Sequence, residues 1–182
     1  MTDFTLYDET NAPEKSKALL EESKKSFGMI PNLHAVMAEA PGLLEGYQKL
    51  HELALNSSFD KEQLTVVWQT LNVEHECHYC VPAHTGIAKN MDVNDELIQK
   101  LRDDKKLSDT KLNTLKNTVL ALTRGRGNVD DDTLKTFFDA GFTRQQLLEI
   151  ITIMAQKLMS NYTNHLANTP VDEPFKKFEW SK

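Results

Sequence analysis

The stretch Glu74-His75-Glu76-Cys77-His78-Tyr79-Cys80-Val81-Pro82-Ala83-His84 holds both cysteines of a 182-residue chain and a histidine four residues after the second. It also decides how the helices on either side are read. Pro82 lacks an N–H and crowds the carbonyl of His78, so a helix containing it must begin near Tyr79, with Pro82 in the first turn. Cys77 then lies just ahead of that helix, and Cys80 and His84 lie inside it. On a helix His84 stands one turn above Cys80, about 5–6 Å away between Cβ atoms. Cys77 falls on the same side. The Cys-x-x-Cys spacing suits a disulfide, whose Cα atoms are typically about 4.4–6.8 Å apart.

Outward from this stretch the pattern is helical in both directions. Upstream, Asp60 and Gln63 form a capping box, and Leu64, Val67, Trp68 and Leu71 give one apolar face, predicting a helix that ends near Asn72. Downstream, Ile87, Ala88 and Met91 continue the helix that carries His84. A short helix from Asn94 to Arg102 and a charged link over 103–109 follow. Leu112, Leu115, Val119 and Leu122 define the next helix, and three aspartates open another over 130–140. Thr143 and Gln146 repeat the capping box and start a long helix from about Arg144 to Ala167. Toward the N-terminus, helices are expected from Pro13 to Phe27, from Leu33 to the break at Pro41, and through Leu43, Leu44, Tyr47 and Leu50. Residues 1–12 read as an arm and 171–182 as irregular. No segment alternates as a strand, so the fold class is all-α, a single multi-helix bundle over 1–182.

The two capping boxes share a register. Phe59-Asp60-Lys61-Glu62-Gln63-Leu64 matches Phe142-Thr143-Arg144-Gln145-Gln146-Leu147 at an offset of 83 residues, and at that offset Tyr79 falls on Tyr162. Cys77 and Cys80 then fall on Ser160 and Thr163. This points to two related halves, roughly 33–102 and 109–168, of which one carries thiols and the other hydroxyls.

Net charge is −6, with no basic stripe, which disfavours a nucleic-acid partner. No apolar run reaches the length of a membrane span. The first residues lack the basic and apolar regions of a signal peptide, which points to the cytoplasm, where structural disulfides are rare. The cysteine pair therefore reads as redox or metal chemistry. A thiolate attacks peroxides and disulfides, and a helix N-terminus or a nearby histidine lowers a thiol's pKa from roughly 8.5 toward neutrality. Both aids are present in the pattern. Zinc would need Cys77, Cys80, His84 and one of His75 or His78, but no second ligand pair lies elsewhere in the chain. His34 and His51 read as structural. His165 reads as either site lining or an interface residue.

At these residues the chain resembles the carboxymuconolactone decarboxylase family, in its alkylhydroperoxidase D-like branch. The motif is Cys77-x-x-Cys80-x-x-x-His84 with Tyr79 before the second cysteine. Phe27-Gly28-Met29-Ile30-Pro31-Asn32 and Asn161-Tyr162-Thr163-Asn164 also look like that branch, so the likeness spans roughly 25–168. It implies an all-α homotrimer or homohexamer that reduces organic hydroperoxides or exchanges disulfides, with no cofactor. A lipoyl- or thioredoxin-like protein would be the reductant. By the same likeness Cys80 attacks the peroxide, Cys77 resolves the sulfenic acid to a disulfide, and His84 belongs to a proton relay. One departure stands out. The relay glutamate expected twelve residues before the first cysteine is Thr65 here. Glu74 is the candidate to orient His84 or to take the thiol proton, with Glu62, Glu76 and Glu149 as other carboxylates. Two other functions stay open: a decarboxylase or lyase acting on a small carboxylated lactone, which cations facing the pocket would favour, and a non-enzymatic redox- or metal-sensing module.

Overall fold

In the computed structural model, residues 4–182 are described. They form nine α-helices and a closing 3-10 turn, with no strand among the described residues. The helices are α1 (Glu14–Phe27), α2 (Asn32–Met37), α3 (Pro41–Leu55), α4 (Lys61–Glu74), α5 (Cys80–Asn90), α6 (Asp95–Arg102), α7 (Thr110–Arg124), α8 (Asp131–Asp139) and α9 (Arg144–Ala167). None is long and apolar enough to cross a membrane among the described residues.

Local signals in the chain set most boundaries. Asp60 and Thr143 each accept the N3 backbone N–H, and Gln63 and Gln146 each reach back to the cap, so both capping boxes form. Asn94, Asp109 and Asp130 cap α6, α7 and α8 by accepting first-turn backbone N–H groups, without the reciprocal bond. Gly28 closes α1 at φ 72°, a left-handed conformation that costs glycine nothing.

Helix α4 packs on α5, α7 and α9, and α3 lies against α9. The apolar contacts divide into two cores. Leu64, Val67, Leu71, Leu115, Val119 and Phe137 fill the one between α4 and the α7–α8 pair. The other gathers Leu33, Met37, Leu44 and Tyr47 around Cys77, Tyr79 and Cys80. Burying such side chains stabilises by roughly 1.5–3 kcal/mol each, and the thiols sit inside this packed cluster.

Helix α4 runs two residues past the expected stop at Asn72. It ends at Glu74 in a Schellman turn, in which Cys77 N–H donates to Asn72 O (2.9 Å) and Glu76 N–H to Val73 O (3.0 Å). Glu76 takes the left-handed conformation at φ 53°. This turn drops Cys77 between the helices, and α5 begins at Cys80 with Tyr79 as its cap, as the Pro82 argument requires.

The last residues are more ordered than their composition suggests. Glu173–Phe178 forms a 3-10 turn that lies along α5. Its Phe175 ring sits where a Cβ on Gly86 would lie only 2.5 Å from it, so a side chain at position 86 would push the ring off α5. Trp180 Nε1 donates to Arg102 O (2.9 Å), and Arg102 donates to Glu179 O (3.1 Å). The early residues also pack, with Ala12 buried and Tyr7 N–H donating to Ala35 O (3.3 Å).

Candidate active site

Cys77 and Cys80 are both free thiols, both buried, and approach within 3.1 Å. Cys80 N–H donates to Cys77 Sγ at 3.3 Å, so the first amide of α5 already faces sulfur. Asn164 Nδ2, from α9, reaches Cys80 Sγ at 3.2 Å and Cys77 Sγ at 3.9 Å.

The two sulfurs are unequal. Burial by itself would raise the Cys80 thiol's pKa, but a hydrogen bond from Cys77, the charge of Lys157 and hydrogen bonds with Ser160 and Asn164 outweigh it and bring it down to about 5. The hydrogen bond to Cys80 and burial push the Cys77 thiol up. One proton is therefore shared unequally: Cys77 keeps it and donates it toward a Cys80 thiolate.

His84 is present at the site in a different state from the one its spacing suggests. Its Nε2 lies 2.9 Å from Lys157 Nζ, and its ring packs on Trp68 with centroids 4.8 Å apart. An ammonium has only protons to give, so Nε2 accepts and the ring proton sits on Nδ1. Burial first, then the Lys157 charge and His51, hold His84 well below the ordinary histidine range, so it is neutral. The cation that favours the Cys80 thiolate is Lys157.

Nothing in the cysteine–histidine motif points to Lys157, which is fully buried. Its neighbours along α9 do carry a readable signal. Ile150, Ile153, Lys157, Ser160 and Asn164 recur at helical spacing and are all buried. A lysine in the middle of an inward face points to a charge partner inside the fold.

Glu74 requires a correction. Both of its carboxylate oxygens are taken by Arg124 of α7, at 2.7 Å each, and that hydrogen-bonded pairing holds its pKa down. It makes no hydrogen bond to His84 or to a thiol among the described residues. Glu74 ends α4 on the side that meets α7, whereas Cys77, beyond the turn, is buried. Glu149 is engaged by Ser58, whose N–H and Oγ lie at 3.0 and 2.6 Å, and Glu76 is exposed and pairs with Lys182. Thr65, at the position of the missing glutamate, donates to Lys61 O at 2.7 Å.

The remaining histidines take other partners. His75 Nδ1 lies 2.8 Å from Asn161 Oδ1, and His78 Nε2 lies 3.0 Å from Thr169 O. No three His, Cys, Asp or Glu side chains converge as a metal set among the described residues. His165 is exposed. His51, read as structural, stacks on Trp68 and accepts from Gln156 Nε2 at 2.9 Å, while Trp68 Nε1 donates to Gln156 Oε1 at 2.9 Å.

Cys80, His84 and Lys157 all line a cavity of about 420 Å³, walled by Tyr47, Tyr79, Ala83, Ile87 and Phe175. A larger hollow of about 620 Å³ shares Phe27, His34 and His51 with it but touches neither cysteine, so the smaller cavity is the one with chemistry. Tyr79 OH donates to Asp172 Oδ2, and Asn32 N–H donates to Asp172 Oδ1 at 2.9 Å, tying the C-terminal segment to the cavity wall.

The same helical arrangement occurs in solved structures. A peroxidase-related protein from Ralstonia eutropha JMP134, described as an alkylhydroperoxidase core, superposes with a TM-score of 0.81 over 96% of each chain at 17% identity. The chain has the alkylhydroperoxidase D-like fold. A peroxidase-related protein from Silicibacter sp. TM1040 shares this fold at 0.78, with 16% identity and 96% of each chain covered. So does the debrominase Bmp8, at 0.79 with 14% identity over 97% of this chain and 95% of that one; a variant of it is known in complex with 2,3,4-tribromopyrrole. No family model and no curated protein sequence matches the chain.

Proposed function

We propose that the chain is a dithiol oxidoreductase that reduces organic hydroperoxides, with Cys80 as the attacking thiolate and Cys77 as the resolving thiol. The observation that carries this reading is the asymmetry of the pair: Lys157, Ser160 and Asn164 all favour ionised Cys80, while Cys77 stays protonated within 3.1 Å. In the first step the Cys80 thiolate attacks one peroxide oxygen, an S–O bond forms, the O–O bond breaks, and an alcohol leaves after taking a proton. Cys77 then displaces water from the Cys80 sulfenic acid and forms the disulfide. A dithiol reductant, of the lipoyl or thioredoxin kind, restores both thiols by exchange. The cavity suits a substrate with an apolar body, since tyrosine, phenylalanine and aliphatic side chains make its walls. A cytoplasmic setting fits a pair that must be re-reduced each cycle.

Self-association, as a homotrimer or homohexamer, is part of this reading. Leu148, Ile151, Leu158, Tyr162 and Leu166 lie exposed along α9, a row of large apolar side chains of the kind that marks a protein contact.

Thiol counting tests the function. Adding cumene hydroperoxide to reduced protein is expected to consume two thiols per chain, and Cys80→Ser is expected to abolish the fast phase. A Cys80→Ser protein that reacts at the parental rate would remove Cys80 from its role. One observation favours a second reading: Lys157, a cation lining the cavity, would pair with the carboxylate of a small lactone acid in a lyase. Activity on such a lactone that survives loss of both cysteines would establish that alternative.

A further inference from the structure

We infer that Lys157 supplies the proton taken by the leaving alcohol, and that His84 carries it from Lys157 Nζ to the departing oxygen. This rests on the hydroperoxide reading above and deepens it. Two geometrical facts carry the inference. Lys157 Nζ donates to His84 Nε2 at 2.9 Å. The other ring nitrogen, Nδ1, is buried and has no hydrogen-bond partner among the described residues, although a buried N–H almost always finds one. His84 is 5% exposed and lines the cavity with Cys80 and Lys157. A ring that accepts on one side and holds an unspent N–H on the other can pass a proton across itself, and the substrate must open the way to Nδ1, which solvent does not reach.

The other titratable groups lining the cavity are unsuited to the task. Burial keeps His34 at about 3 and His51 at about 4, so neither carries a spare proton near neutral pH. Tyr47 and Tyr79 are pushed up by burial and hold their protons. Both oxygens of Asp172 are engaged, by Tyr79 and Asn32. Among the described residues lining the cavity, Lys157 is the one cation.

The step balances. Cys80 S⁻ and R–O–O–H give Cys80 S–OH and R–O⁻. The alkoxide takes the Nδ1 proton of His84, and His84 Nε2 receives a proton from Lys157, which ends as a neutral amine. An ion pair thus becomes two neutral groups in a buried site, where separated charge is costly.

The test separates proton delivery from thiol acidity. Reduced protein is mixed with tert-butyl hydroperoxide, whose alkoxide needs a proton, or with peracetic acid, whose carboxylate does not, and each rate is divided by the measured thiolate fraction. Lys157→Met and His84→Asn are both expected to lose about 100-fold or more with the alkyl hydroperoxide and less than about 10-fold with the peracid. Only Lys157→Met is expected to raise the Cys80 pKa as well. Equal losses on the two oxidants, or no loss on either, would overturn the inference. If Lys157→Met does not fold, His84→Asn decides alone, because it leaves the lysine in place. A parental protein inert to both oxidants would sink the peroxidase reading itself, a result distinct from either of these.

Discussion

The segment from Phe59 to Asn90 and the segment from Phe142 to Ala167 begin the same way, with a buried phenylalanine, a capping box and an apolar helical face. They then part. The first breaks at His75–Tyr79 and restarts as α5, whereas α9 runs unbroken for 24 residues. The break turns two cysteines inward at a helix start, and the unbroken helix brings Lys157, Ser160 and Asn164 to Cys80. Neither half makes the site alone. One contributes sulfur and the other contributes the charge and hydrogen bonds that distinguish the two sulfurs.

The seam between these segments is where substitution should cost most. Asn161 Nδ2 donates to Asn72 Oδ1 (3.2 Å), and its Oδ1 faces His75 Nδ1 (2.8 Å). Asn72 in turn donates to Gln69 Oε1 and to Cys80 O. Asn161→Leu would leave Asn72 Oδ1 on α4 and Nδ1 of the half-buried His75 without partners, each worth about 1–3 kcal/mol. We expect it to lower unfolding stability by about 3 kcal/mol, read from the urea midpoint at unchanged slope. A loss under about 1 kcal/mol would mean that the two segments are held by apolar contact alone.

Asn164→Leu sharpens the comparison at the sulfurs. The parental ultraviolet thiolate signal should persist from neutral pH downward and halve near 5, the value to which Cys80 is drawn. Hydrogen bonds to charged groups contribute about 1.5–3 kcal/mol, and one pKa unit corresponds to about 1.4 kcal/mol. Removing this donor should therefore raise the midpoint by about one unit. The sign for stability follows. A Cys80 pKa held below the unfolded value of about 8.5 gives stabilisation that is complete above that value, declines as pH falls through the window, and vanishes below about 5. A midpoint unmoved in Asn164→Leu would leave the effect to Cys77, Lys157 and Ser160.

How much of this was legible in the sequence follows from the range of each signal. Capping boxes, Pro82 and helical periodicity act within a few residues, and they placed α4, α5 and α9 correctly. Cys77 and Cys80 are three residues apart, so their closeness was legible too, and His84 lines one cavity with Cys80. The partner of His84 was not, because Lys157 is 73 residues away and its contact depends on how α9 packs. Glu74 misled for the complementary reason: closeness in sequence counts for little across a left-handed turn. The order of the C-terminal segment was invisible because a few long-range contacts, Phe175 on Gly86 and Asp172 with Tyr79, supply it.

The break itself can be tuned. Glu76 occupies the left-handed position that closes the Schellman turn, where a side chain costs roughly 1–2 kcal/mol relative to glycine's freedom. Part of that is offset by the extra flexibility that glycine gives the unfolded chain. Glu76→Gly is expected to raise stability by up to about 1 kcal/mol, with a higher Tm and no change in thiol titration. A lower Tm would mean that its pairing with Lys182 outweighs the backbone strain.

Glu74 provides the smallest expected effect and a control on the site's limits. Its two-point pairing with Arg124 joins α4 to α7, with the Arg124 side chain 60% exposed. An ion pair this open to solvent contributes at most about 1 kcal/mol, and salt should erode it further. Glu74→Gln should therefore lower stability by less than about 1 kcal/mol and leave both the Cys80 midpoint and the rate of thiol oxidation unchanged. A selective fall in oxidation rate in this variant, with stability intact, would return a carboxylate to the proton path. It would also mean that the first segment contributes more to the chemistry than its sulfurs and His84.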